Sequence, residues 1–199
     1  MLEPGSVVPA RRLTAVAGHA GHAGPGPVPL PDPGRLVHLQ FRRFAGCPVC
    51  HLHLRSVALR HAEIEAAGIR EVVLFHSTAA ELRPHVAGFP FAVIADPEQR
   101  LYREFGVESS PRSLLDPRAW GPVLRAVARS AVGAARGRER LPQPRPRGGR
   151  FGMPADLLIG PDGRVLAAKY GEHVYDQWTV DELLRLASRY PVRAGEGAA

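Results

Sequence analysis

Both cysteines of the chain lie in one short stretch, Cys47-Pro48-Val49-Cys50. Two thiols at this spacing fall on the same face of a helix, one turn apart, so a bond made at the first can be broken by the second. Pro48 suits the first helical turn, where its missing N–H costs nothing, and this puts Cys47 at the cap beside unpaired backbone donors. Those donors and the helix dipole favour the thiolate, the form in which sulfur attacks. The implied roles are unequal: Cys47 is the nucleophile and Cys50 the resolving thiol. Their redox-active disulfide then suffices, and no bound cofactor or metal is expected.

Other chemistries fit the pair less well. A stabilising crosslink closing so small a loop removes little entropy from the unfolded chain. A zinc site would recruit His51 and His53, but on a helix these point apart, and there is no second cysteine pair. Cys47 to His51 also fits the haem-attachment pattern. That chemistry needs an exported chain and a helical pocket, whereas here a strand precedes the motif.

The elements around the pair can be read from periodicity. Leu36 to Phe41 alternates, with Val37, Leu39 and Phe41 on one face, which predicts a strand. From Pro48 the spacing turns helical through Leu54, Val57, Ala58 and Ile64, and Gly68 is placed as the terminator. Val72 to Phe75 and Phe91 to Ile94 read as further strands. Thr78 with Glu81 forms a capping-box pattern, Asp96-Pro97 opens a helix ending at Gly106, and Thr179 with Glu182 caps the final helix. Asp116-Pro117 opens a longer helix whose buried stripe is expected at Trp120, Val123, Leu124, Val127 and Ala131. Ala155 to Ile159 and Arg164 to Tyr170 flank Pro161-Asp162-Gly163, two strands about a tight turn. Before the core, Val7-Val8 and Val28 to Leu30 read as a loose hairpin interrupted by a Gly/His/Pro-rich insert. This alternation implies an α/β fold with a central mixed sheet flanked by helices.

Charge narrows the partners. The formal net charge is +7, but Arg136 to Arg150 alone hold six arginines against the single acid Glu139, and this stretch reads as a solvated Arg/Pro-rich insertion. Nucleic-acid binding through it would be electrostatic and unspecific, since no aromatic residue is interleaved before Phe151. No run of about 18 apolar residues exists to span a membrane. Arg11 and Arg12 precede too short an apolar stretch for an export signal, so the expected compartment is the cytoplasm. His38, inside a strand, reads as a hydrogen-bonded core residue, and Trp120 and Trp178 as packing or surface residues. His51 follows Cys50 directly and is a candidate modulator of the thiols.

With the strand, the Cys-x-x-Cys helix and the later Met153-Pro154 in place, the chain resembles the thioredoxin superfamily. Within it, the resemblance is to the peroxiredoxin-like branch related to alkyl hydroperoxide reductase and thiol-specific antioxidant proteins. Its pieces are Gly5 to Leu13, Leu36 to Cys50, Ala95-Asp96-Pro97 with Phe105-Gly106-Val107, and Met153 to Gly163. The resemblance implies a thioredoxin-like fold in one domain over residues 5–190, with an N-terminal hairpin at 5–34, an insertion at 134–150 and a disordered tail at 191–199. It implies thiol–disulfide exchange or thiol-dependent peroxide reduction, with a protein or low-molecular-weight thiol as reductant and a disulfide or peroxide as substrate. A binding protein acting through the basic loop at 136–150 is the third reading.

Two departures from that family bear on the chemistry. The proline and the hydroxyl residue usual before a peroxidatic cysteine are replaced by Gln40 and Phe44. Where the family's arginine usually stands there is Pro154, which looks like the cis-proline of thioredoxin-type oxidoreductases. The resemblance therefore implies a substrate groove formed by Met153, Pro154, Phe44 and Pro48, with a cis Met153–Pro154 bond. Arg42, Arg43 or Arg112 would supply the lost positive charge.

Overall fold

The computed structural model describes residues 1–16, 25–107, 116–137, 149 and 152–191. Five strands form one sheet: β3 (Leu36–Arg42) at the centre, β4 (Ile69–Phe75) and β5 (Ala92–Ala95) on one side, β6 (Ala155–Ile159) and β7 (Val165–Tyr170) on the other. β3, β4 and β5 are parallel, and β6 and β7 run antiparallel, so the sheet is mixed. A separate hairpin, β1 (Arg11–Thr14) with β2 (Pro27–Leu30), precedes it. The hairpin is present, but its first strand is Arg11–Thr14. Val7 instead bridges Arg164.

Helices cover both faces of the sheet. Cys47 caps α1 (Pro48–Leu59), which breaks at Arg60 before α2 (His61–Ala66), and Gly68 leaves α2 with a φ of 74° that favours glycine. With them lie α3 (Ala79–Val86) and α6 (Val180–Ala187), whose first turns are closed by the Thr78–Glu81 and Thr179–Glu182 capping boxes. Leu54, Val57, Ile64, Leu82 and Leu183 pack with Val73, Phe75 and Leu158 of the sheet. The opposite face packs Val37, Leu39 and Phe41 against the hairpin and against Tyr102 and Phe105 at α4 (Arg100–Glu104). That helix starts later than Asp96-Pro97 suggests, because Gln99 takes a left-handed turn (φ 54°). The Asp96 carboxylate accepts from the N–H of Arg100 and Leu101 instead.

The longest helix, α5 (Pro117–Ala135), corrects one expectation. Trp120, Leu124 and Val127 are exposed at 57, 71 and 50%, while Ala126 is buried and Val123 packs beside it. α5 lies against α1, with Ala126 and Val123 as its packed residues. The wide apolar stripe looks outward. Residues 138–148 of the basic stretch and 192–199 of the tail lie outside the described residues.

Candidate active site

β3 delivers the chain to a tight loop in which Gly46 has a φ of 74° and the N–H of Cys47 donates to the carbonyl of Phe44 at 3.1 Å. Pro48 opens α1, and Cys47 becomes its N-cap, accepting from the N–H of Cys50 at 3.4 Å. The Cys50 thiol donates to the Cys47 sulfur at 2.8 Å, both cysteines being free thiols with exposures of 1 and 3%. Burial opposes the Cys47 thiolate, but the Cys50 thiol, the Arg43 guanidinium and the N–H groups of Cys50 and Val49 together bring its pKa down to about 7. Burial and the neighbouring sulfur push Cys50 well above its ordinary value. One thiol is thus set to ionise and the other to hold its proton.

Arg43 is the cation the structure brings to the sulfurs. It is 4% exposed and its guanidinium stands 5.3 Å from the centre of the Phe44 ring. Arg42 turns into a different cluster, and Arg112 lies outside the described residues. The ring of His51 is 5.8 Å from His85 and 5.5 Å from Phe89, on the side of α1 that faces α3. Burial, His85 and Arg55 lower the pKa of His51 to about 4, so it is neutral at pH 7.

The Met153–Pro154 bond is trans, which corrects the expected cis-proline. Its surroundings are those of a strand residue. Pro154 is buried and its carbonyl accepts from the N–H of Gly171 at 2.9 Å, so it extends the pairing of β6 with β7 as a strand residue does. A cleft of about 810 Å³ runs between α1, α3 and α5. Gly46 and Pro48 line it, whereas Phe44, Met153 and Pro154 do not.

Beneath α1 lies a buried ionic cluster that motif reasoning missed. His38, Gln40 and Arg42, on the α1 side of β3, meet Glu71 of β4 and Asp156 of β6. His38 has Nδ1 3.0 Å from Glu71 and Nε2 3.1 Å from Asp156, so both nitrogens donate and the ring is an imidazolium. Burial opposes that charge, but the two carboxylates raise its pKa to about 9. Arg42 donates to Asp156 at 2.6 Å and lies 3.3 Å from Nε2 of His53, one turn beyond Cys50 on α1. Two cations and two anions balance, and His53 ties the cysteine helix to them. The signal in the sequence was an acid inside each of two apolar strands, Glu71 and Asp156.

The comparison with protein families finds the AhpC/TSA antioxidant enzyme model matching residues 57–173. The chain belongs to the AhpC/TSA antioxidant enzyme family. Within this AhpC/TSA member the matched stretch begins at Val57, so Cys47 and Cys50 stand ahead of it. No curated protein sequence matches the chain. Among solved structures it is similar to the reduced 2-Cys peroxiredoxin of Plasmodium vivax, with a TM-score of 0.65, 13% identity, and 94% of this chain and 81% of that one covered. It is similar to Mycobacterium tuberculosis AhpC at a TM-score of 0.63 and 15% identity, over 94% of this chain and 92% of that one. A Chlorobium tepidum structure titled thiol:disulfide interchange protein DsbE gives 0.53 and 20%, over 97 and 100%. At these identities the likeness is one of thioredoxin-like, α/β fold. No helix among the described residues is long and apolar enough to cross a membrane.

Proposed function

We propose that this AhpC/TSA member reduces small peroxides, Cys47 attacking and Cys50 resolving, with the Cys47–Cys50 disulfide as its redox group and a thiol as reductant. The observation that carries the reading is the pairing of a thiol with lowered pKa and a proton-holding thiol 2.8 Å away, both almost wholly buried. The Cys47 thiolate attacks one peroxide oxygen, the O–O bond breaks, and the leaving oxygen departs as an alcohol or water. The resulting Cys47 sulfenic acid then condenses with the Cys50 thiol, releasing water and forming the disulfide. Arg43 stabilises the attacking thiolate by charge.

Thiol–disulfide exchange with a protein is the second reading, supported by the Cys-x-x-Cys spacing and the DsbE-titled neighbour. Burial of both sulfurs and the trans Met153–Pro154 bond favour the smaller substrate. Stopped-flow mixing of the reduced protein with hydrogen peroxide and with a protein disulfide separates the two. The expected result is faster oxidation by peroxide. In Cys47→Ser it should vanish, and in Cys50→Ser it should stop at a sulfenic acid that dimedone traps. Faster reaction with the protein disulfide would reverse the order of the readings.

A further inference from the structure

The cleft between α1, α3 and α5 is lined by Gly46 and Pro48, the chain neighbours of Cys47, and none of its lining residues takes part in the peroxide chemistry above. Its lining includes the cations Arg55 of α1 and Arg129 of α5, the rings of His51, His85 and Phe89, and Leu52. No acid lines it among the described residues. His51 lines it as a neutral ring whose Nε2 is buried without a hydrogen-bond partner among the described residues. A neutral peroxide gains nothing from two arginines. An anion does, and a thiol gains twice, because nearby cations favour both a carboxylate and the reactive thiolate.

We infer that this cleft is the binding site for the reductant, a low-molecular-weight thiol of about tripeptide size that carries carboxylates. The inference rests on the reading of Cys47 and Cys50 as a pair that cycles through a disulfide. Arg55 lies eight residues along from Cys47, about 12 Å at the helical rise, less the reach of its own side chain. An extended tripeptide spans about 10 Å, so a carboxylate near its end meets Arg55 or Arg129 while its sulfur lies by Gly46 and Pro48. The thiolate attacks Cys47 Sγ of the disulfide, and Cys50 leaves and takes a proton. A second thiolate then attacks the incoming sulfur, releasing a small disulfide and the Cys47 thiolate. Two thiols are oxidised to one disulfide as the protein disulfide becomes two thiols.

The test uses protein oxidised with diamide, which makes the Cys47–Cys50 disulfide without any peroxide. Its reduction is followed with glutathione and with cysteamine, a cationic thiol, compared at equal thiolate concentration and low salt. The expected result is at least a tenfold preference for glutathione that falls at least fivefold in the Arg55→Glu, Arg129→Glu variant. Both side chains are exposed, so the fold tolerates the change. In the wild-type protein, S-methylglutathione should shift the His51 ring signals and raise its pKa. A glutathione-to-cysteamine ratio near one, or one unchanged in the variant, overturns the inference. Loss of peroxide reactivity alone would overturn the peroxidase reading and leave this one standing.

Discussion

Cys47 and Cys50 are the same residue type in one helical turn, and what separates them is the direction of a single hydrogen bond, reinforced by Arg43. Cys50 donates to Cys47, so the proton sits on Cys50. Arg43 acts from the loop after β3. Replacing Arg43 with glutamine removes a buried charge that favours the Cys47 thiolate. The pKa of Cys47, read from the pH dependence of iodoacetamide labelling, should rise from about 7 by at least about half a unit, or about 0.7 kcal/mol. An unchanged profile would remove Arg43 from the site.

The helix that carries the cysteines is held by charges beneath it. Asp156 of β6 accepts from Arg42, contacts His38 and accepts from the N–H of Trp178 at 3.2 Å. Changing Asp156 to alanine leaves Arg42 and His38 with Glu71 as their one remaining carboxylate, and breaking such a buried pair costs about 3–5 kcal/mol. Urea unfolding should show that loss, and labelling of Cys47 should become faster as α1 loosens; a loss under about 1 kcal/mol would mean that the cluster contributes little. The five strands of the main sheet and both capping boxes were legible in the sequence because alternation and the Thr-x-x-Glu spacing are local signals, whereas the first hairpin strand, expected at Val7-Val8, is Arg11–Thr14. So was the cysteine pair at the start of a helix. The outward stripe of α5 was not, since periodicity shows that a helix has an apolar face but not whether another element covers it. Pro154 misled for a similar reason: the isomer of an X-Pro bond depends on tertiary context, which no local pattern reports. His38 was legible as a bonded core residue, whereas its partners Glu71 and Asp156 lie 33 and 118 residues away.

For the molecule as a whole, two buried groups make stability depend on pH in opposite directions. His38 keeps its proton to about 9 against an ordinary value of 6.5, so its contribution is full below 6.5 and is lost as pH rises towards 9. Cys47 ionises at about 7 against an ordinary 9.0, so its contribution grows over the upper part of that same range. His51 and His53, lowered to about 4 and 3, act below this window, and Cys50 acts above it. The reduced wild-type protein should therefore change little in stability between pH 7 and 9. In Cys47→Ser the His38 slope stands alone, and urea unfolding at pH 7, 8 and 9 should show a fall of up to about 1.4 kcal/mol per unit. A flat Cys47→Ser profile would contradict the imidazolium at His38.

The N-terminal residues touch both margins of the sheet. Gly5, Ser6 and Val8 bond to Val165 and Gly163 at the start of β7, and Ala15 and Val16 pair with Ile94 and Val93 on β5. Both edge strands, which would otherwise offer open backbone to other chains, are thus partly covered. A ribosome makes Gly5 to Val8 more than 150 residues before it makes Gly163. This segment must wait through most of the chain's synthesis for its partners, so it is among the first parts made and among the last that can settle.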